Sequence, residues 1–194
     1  MTKIFIWHAH PRRDSFCGAL ADAYAKGAEA KGAEVRRQDL EDMDFDTQFQ
    51  GYGREQALPD DLVQWQDHIR WADHVVFVSP YWWGGLPGRA KAVLDTALLP
   101  GFGFKYHKGK KVAWDKLLEG KTGDGLITSD TPPWLDTMVY RKPGRRVMRN
   151  QVFKFCGIKP RQVRQLGSIK MSTPEKRAKW LAQAEAMGAG AAGV

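Results

Sequence analysis

The sequence lacks any apolar run near the ~20 residues that a membrane-spanning helix requires. Its first apolar run, residues 4–7, has the length of a strand and is too short for a signal peptide. Cysteine is scarce. The two cysteines, Cys17 and Cys156, cannot build a disulfide framework, and neither belongs to a Cys-x-x-Cys pair. We therefore expect a cytoplasmic protein without a membrane span, with two reduced thiols near or in its core.

Motifs for nucleic-acid recognition are also absent, although the net charge of +8 would suit an anionic partner. Much of this charge lies in residues 105–111 and 141–154. A basic surface attracts nucleic acids and the phosphates of nucleotide cofactors alike, and it is often only a solvated face. Because no recognition motif accompanies the charge, we expect no nucleic-acid partner.

The length and composition that remain are those of one globular domain. The chain has 194 residues, of which 43% are hydrophobic and 27% charged, enough for a sizeable core. Strand-like apolar runs alternate with amphipathic segments, which predicts a parallel sheet with helices on both faces. We predict a single α/β domain over residues 1–194, frayed from Gly188 onward. The strands are predicted at residues 3–9, 34–40, 74–79, 125–129 and 162–169, and the helices after Ser15, Pro59, Pro87 and Thr173 and over 134–153 with a break at Pro143.

The loop after the first strand is a candidate phosphate site, because ligands of open α/β sheets bind at the carboxyl ends of the strands. It contains no glycine before Gly18, which argues against the Gly-x-Gly-x-x-Gly motif of dinucleotide-binding proteins. It offers His10, Arg12 and Ser15 beside the open amides of a helix N-terminus, and these groups suit a terminal phosphate. The alternative is that Ser15 serves only as a helix cap.

Two histidines in this segment raise the question of a metal. His8 and His10 face the same way if both lie on a strand. No further His, Cys or Asp follows at a spacing that would complete a ligand set. We therefore expect no metal site, with His8 packed in the protein and His10 in contact with a cofactor.

The loop after the third strand is aromatic and rich in glycine. Pro80, Tyr81, Trp82, Trp83 and Gly84 follow a buried strand directly. A planar heteroaromatic ring can lie against such a surface, with backbone N–H groups of the turn bonding its edge. The alternative is that the tryptophans fill the core, although adjacent residues of an extended segment do not both point inward.

The loop after the fourth strand is the third candidate. Thr128, Ser129 and Asp130 supply hydroxyls, a carboxylate and backbone groups that can enclose the far side of a bound ring. The alternative is an ordinary turn stiffened by Pro132 and Pro133.

These three loops, in this order, resemble the NAD(P)H:quinone oxidoreductase family, the DT-diaphorase-like branch of the flavodoxin-fold flavoproteins. The family's first strand ends in a His and a loop reaching Ser-Phe-Asn, and here His10 precedes Ser15, Phe16 and Cys17. Its Pro-x-x-Trp-x-Gly-x-Pro segment matches residues 80–87, and its Gly-x-x-Phe/Tyr-x-Tyr segment matches residues 101–106. The likeness covers roughly residues 3–130.

The resemblance implies a flavodoxin-like three-layer sandwich whose five-stranded parallel sheet has the order 2-1-3-4-5. It further implies a homodimer in which the partner completes each site. Hydride would pass from NADPH or NADH through the flavin to a quinone-like small molecule in a ping-pong reaction. It assigns no catalytic side chain. The implied contacts are Ser15, Phe16 and Cys17 with the flavin's phosphate and ribityl chain, His10 beside them, and Pro80 to Gly84 along the isoalloxazine ring.

The chain departs from the family at two places. Cys17 stands where an Asn is common, and residues 128–133 replace a Thr-Thr-Gly-Gly segment, so the outer edge of the ring is held differently. FMN is favoured over FAD, because so short a chain has little beyond the phosphate loop to hold an AMP half. Two other functions stay open: a flavin-binding electron carrier or regulatory subunit that docks on a partner, and a flavin-free module that binds nucleic acid or another anion.

Overall fold

The computed structural model describes residues 1–48, 51, 57–107 and 113–193, so part of the basic segment 105–111 lies outside the described residues. The elements follow in the order β1 (Lys3–His8), α1 (Phe16–Glu29), β2 (Glu34–Asp39), α2 (Asp60–Trp71), β3 (His74–Pro80), α3 (Gly88–Ala97), β4 (Phe104–Tyr106), β5 (Trp114–Lys116), β6 (Thr122–Thr128), α4 (Pro133–Met138), α5 (Pro143–Arg146), a π-helix (Val147–Lys154), β7 (Lys159–Leu166) and α6 (Pro174–Ala191).

The main sheet has five parallel strands in the order β2-β1-β3-β6-β7. This confirms the predicted order 2-1-3-4-5, with β6 and β7 as its fourth and fifth strands. The central strand β3 is buried along its whole length, which is why it reads as a continuous apolar run. A separate antiparallel pair, β4 with β5, was not predicted.

Two hydrophobic cores lie on opposite faces of this sheet, as predicted. Alternate residues of each strand point to opposite faces. Phe5 and Trp7 of β1 therefore join the core formed with α2, α3 and the π-helix. Ile4 and Ile6 join the core formed with α1 and α6. Within the described ranges, no helix combines the length and the apolar character needed to cross a membrane.

The second half of the chain differs in detail from the prediction. Both later strands begin three residues earlier than expected, β6 at Thr122 and β7 at Lys159. The helical segment predicted over residues 134–153 is divided at Pro143, as expected, but its last part is a π-helix.

The prediction of a tail frayed from Gly188 is wrong for residues 188–191. Helix α6 continues to Ala191, and both Gly188 and Ala191 are buried. The reason is close helix packing, because a Cβ at Gly188 would lie only 2.0 Å from the carbonyl oxygen of Tyr24 in α1. Gly188, one of the glycines that suggested disorder, is thus the residue that lets α6 approach α1.

Candidate functional site

The three predicted loops meet at the carboxyl ends of β1, β3 and β6. The Sγ of Cys17 lies 3.1 Å from the Oγ1 of Thr128, which joins the first loop to the third. The amide of Tyr81 donates to the carbonyl of Thr128 at 2.8 Å, which joins the second loop to the third. The ring edge of His10 meets Trp82 with 5.6 Å between centroids. One edge of the sheet therefore carries all three loops.

The start of α1 presents open backbone donors. Ser15 caps the helix, and its Oγ accepts the N–H of Gly18 at 3.2 Å. The amides of Phe16 and Cys17 come before the first intrahelical bond of α1 and have no partner within the helix. No acidic residue lies in the first turn, so the positive end of the helix dipole is not neutralised there. This is a suitable environment for a phosphate.

The side chains of this loop divide into two groups. The ring of Phe16 packs against Trp180 of α6, so only the backbone of Phe16 faces the loop. The thiol of Cys17 is buried, and burial raises its pKa to about 12 against the small opposing effect of the Thr128 hydrogen bond. Cys17 therefore contributes a neutral thiol and an amide to the site.

His8 is buried as expected, but in a polar contact that sequence reasoning missed. Its Nδ1 lies 2.6 Å from the Oδ1 of Asp39, and its Nε2 lies 3.2 Å from the Oγ of Ser15. Burial opposes ionisation of Asp39, but hydrogen bonds from His8 and Arg37 outweigh it and lower the pKa of Asp39 to about 2. Spacing along the chain carries no signal for this contact, because it depends on the pairing of β1 with β2, whose last residues are His8 and Asp39.

His10 lies between these groups and the aromatic loop. Its ring stacks on His8 with 6.1 Å between centroids, and its Nδ1 lies 3.0 Å from both the backbone nitrogen and the carbonyl of Arg12. Burial lowers the pKa of His10 below 6.5 and outweighs the hydrogen bond with the Arg12 backbone, which raises it. His10 is therefore neutral at pH 7 and retains a ring nitrogen for a ligand.

The aromatic loop is a tight turn with strained backbone. Trp82 and Gly85 exchange two backbone hydrogen bonds of 2.9 Å. Between them, Trp83 has a φ of 48° and Gly84 a φ of 83°, as in a type I′ turn. Trp83 is fully exposed and Trp82 is 45% exposed, so neither side chain fills the core. The turn does not use the N–H groups of Trp83 and Gly84, which leaves two donors at the sheet edge.

The third loop takes part only with its first residues. Thr128 and Ser129 are buried at the sheet edge, and the Oγ of Ser129 accepts a hydrogen bond from Gln165. Asp130 is not brought to the other two loops by its side chain, because its carboxylate accepts the amide N–H of Lys170 at 2.9 Å. A contact between Asp130 and a cofactor stays a prediction.

Exposed apolar residues next to the site were not predicted. They lie on α4, at the two residues after it and at the first residue of the π-helix, and large apolar side chains exposed together mark interaction surfaces. These residues are Trp134, Met138, Val139, Tyr140 and Val147.

Two sets of open amides, one at a helix N-terminus and one in an aromatic turn, fit the donor pattern of a flavin mononucleotide. The helix N-terminus suits the phosphate, and the turn amides suit the polar edge of the ring. Both sets of amides lie at the carboxyl edge of the sheet, where open α/β folds bind their ligands.

Comparison with known proteins agrees with this geometry. A family model described as flavodoxin-like fold matches residues 2–188. An uncharacterized NAD(P)H oxidoreductase of Haemophilus influenzae is 30% identical over 87% of this chain and 85% of its own length. An FMN-dependent NADH:quinone oxidoreductase of Ruegeria pomeroyi is 33% identical over 66% of this chain and 71% of its own. A solved Streptococcus mutans structure superposes with a TM-score of 0.84 and 27% identity over 97% of this chain and 100% of its own. The chain therefore belongs to the flavodoxin-like fold family, within the NAD(P)H oxidoreductase group that its sequence resembles.

Proposed function

We propose that this protein is a flavin-dependent NAD(P)H:quinone oxidoreductase that holds FMN at the carboxyl edge of its sheet. The observation that carries the proposal is the pairing of two open donor sets at one edge. The amides of Phe16 and Cys17 stand on one loop, and those of Trp83 and Gly84 stand on the next. The named relatives, one an FMN-dependent NADH:quinone oxidoreductase, support the same function.

Each loop has a distinct task in this proposal. Ser15 and the two helix amides hold the phosphate, and His10 approaches it from the β1 side. The amides of the turn orient the ring through its polar edge, with Pro80 and Trp82 beside it. When bound, a flavin accepts hydride from a nicotinamide and passes it to a quinone, and the protein supplies position and electrostatics.

FMN suits the loop better than FAD. The donors of Ser15, Phe16 and Cys17 are enough for one phosphate group. Arg13, the next cation along the loop, is already paired with Asp39 and Asp42 and is not open to a second phosphate. Arg12 is 69% exposed in its side chain, with only the exposed Asp14 at 4.0 Å from its Nε, and in this proposal it meets the ribose phosphate of NADPH. Both NADPH and NADH therefore belong to the proposal as hydride donors.

A homodimer is part of the same proposal. The exposed apolar set formed by Trp134, Met138, Val139, Tyr140 and Val147 lies on and after α4, and its burial would be favourable. A second copy of the chain that covers this set would also enclose the open side of the turn at residues 82–85.

The proposal is tested first on purified, desalted protein. We expect a visible flavin spectrum, release of FMN on heating as identified by chromatography, and oxidation of NADH or NADPH by a soluble benzoquinone. Light scattering of the same sample should give twice the chain mass. A colourless protein that takes up neither FMN nor FAD would contradict the proposal. Bound flavin without turnover of any quinone would instead support an electron carrier.

Replacing Gly84 tests the role of the turn. Gly84→Val places a β-branched residue at a φ of 83°, which costs roughly 1–2 kcal/mol and reorients the turn amides. We expect FMN affinity to fall by about tenfold or more, read by quenching of flavin fluorescence. Gly84→Asn is the matched control, because Asn tolerates positive φ. Equal affinities for the two variants would exclude the turn from cofactor binding.

A further inference from the structure

A row of three polar groups, two of them buried and the third, Ser15, half-buried, lies at the phosphate loop. Asp39 ends β2, His8 ends β1, and Ser15 caps α1. The register of the sheet places His8 opposite Asp39, so backbone pairing fixes this contact. Water competes little for the hydrogen bond between His8 and Asp39, because His8 is fully buried and Asp39 is 8% exposed.

The hydrogen positions in this row follow from the ionised Asp39. A carboxylate only accepts hydrogen bonds, so the Nδ1–H of His8 donates to it. The Nε2 of a neutral imidazole is then an acceptor, and the hydroxyl of Ser15 donates to it across 3.2 Å. The Ser15 oxygen meanwhile accepts the N–H of Gly18. In this neutral form of His8, the single proton of Ser15 is committed to the ring nitrogen.

An anion at the start of α1 changes this arrangement. The anion needs the Ser15 proton as a donor, and the Nε2 of His8 would then be a buried nitrogen without a partner, which is unfavourable. A proton on Nε2 removes the conflict. The ring donates to Asp39 on one side and to the Ser15 oxygen on the other, and its positive charge lies between two anions.

We propose that His8 is a positioning residue for the cofactor phosphate, which takes up a proton when the phosphate binds and thereby releases the Ser15 hydroxyl to donate to it. The inference rests on the proposed flavin site. The ligand group that this inference favours is a phosphate monoester, as in FMN. A monoester carries two negative charges, whereas each phosphate in the pyrophosphate of FAD carries one.

The surrounding charges make the proton uptake depend on the anion. Arg37 of β2 is bonded to the same carboxylate oxygen of Asp39 at 2.6 Å, and Arg13 of the loop lies 3.6 Å from the other. The neutral ring of His10 stacks on His8. The two arginines oppose a further positive charge in this row, and a bound dianion offsets them.

Calorimetry on the wild-type protein tests the uptake directly. Titrations with FMN are run near neutral pH in buffers of different ionisation enthalpy, and riboflavin, which lacks the phosphate, is the matched ligand. We expect an uptake of about one proton for FMN and none for riboflavin. Equal heats for FMN in all buffers would overturn the proposal.

Substitution separates positioning from stability. His8→Gln keeps a polar side chain but cannot take up a proton. We expect this variant to bind FMN about tenfold more weakly, which corresponds to a pKa difference of one unit, while its affinity for riboflavin is unchanged. His74→Gln is the matched control, because His74 is another fully buried histidine beside an aspartate but lies at the opposite edge of the sheet. An equal loss for FMN and riboflavin in His8→Gln would assign His8 a merely structural role.

Inorganic phosphate distinguishes failure of this inference from failure of the proposed function. The ring nitrogens of His8 are followed by NMR in the wild-type protein while phosphate is added. Protonation of His8 by phosphate in a protein that binds no flavin would uphold the positioning role and reject the flavin function. Flavin binding with His8 neutral in both complexes would reject the positioning role and leave the function standing.

Discussion

Gly188→Ala should destabilise the protein by roughly 3 kcal/mol, at the upper end of the range for overpacking. The added Cβ would lie 2.0 Å from the carbonyl oxygen of Tyr24 and 3.1 Å from the amide nitrogen of Ala28. Both are backbone atoms of α1, so no side chain can rotate away. Relief requires the two helices to separate, and that opens the core around Met187 and Ala184.

Thermal denaturation measures this effect, with an expected decrease in Tm of roughly 6–12 °C for a chain of this size. The matched control is Gly190→Ala, two residues along the same helix, where the added Cβ would meet only the flexible end of Arg161 at 3.4 Å. That variant should gain about 0.5–1 kcal/mol, because alanine favours the helix over glycine. A similar Tm for both variants would mean that α6 does not rest on α1 as described.

Asp124→Ala should cost roughly 3–5 kcal/mol, because it leaves buried partners without their acceptor. Asp124 is fully buried at the start of β6. Its carboxylate accepts the hydroxyl of Tyr24 at 2.8 Å and the amide of Gln162 at 2.9 Å, and Arg161 lies 3.6 Å away. Urea denaturation at neutral pH measures the loss. Asp67→Ala, which removes only the exposed partner of Arg70, should cost no more than about 0.5 kcal/mol.

The same substitution has a signature in acid. Burial opposes ionisation of Asp124, but the hydrogen bonds and charge of His74 and the bond from Tyr24 outweigh it and lower its pKa below 3.8. A carboxyl with a lowered pKa stabilises the folded state above its unfolded value and loses that contribution as the pH falls through the folded value. Wild-type stability should therefore decline below about pH 4 more steeply than that of Asp124→Ala. Parallel declines in the two proteins would argue against an ionised Asp124.

The parts of the fold that could be predicted are those in which local pattern and tertiary environment agree. β3 is predictable because a strand buried on both faces is apolar at every position. β6 was placed three residues late because it begins with Thr122, Gly123 and Asp124, which carry no apolar signal. Gly123 and Gly125 fit there because Ile158 and Met148 occupy the space that their side chains would need, which only the folded structure reveals.

The candidate site shows the same division. The loops at residues 8–17 and 80–86 could be found because prolines, aromatics and a helix cap interrupt the strands at the edge where ligands bind. The role of Asp39 could not be found from spacing along the chain, since it depends on the pairing of β1 with β2. The outward orientation of Trp82 and Trp83 likewise depends on the type I′ geometry of the turn, and a Trp-Gly pair does not predict that turn type.

The buried thiol of Cys17 has a consequence for the chemistry that this site would carry out. Quinones are electrophiles that become covalently attached to cysteine, and the attacking species is the thiolate. Burial raises the pKa of Cys17 to about 12 and keeps the thiol protonated, and its sulfur faces Thr128 inside the protein. Cys17 can therefore lie beside a quinone site without forming a covalent bond to the quinone, so the enzyme is not inactivated by its own electron acceptor.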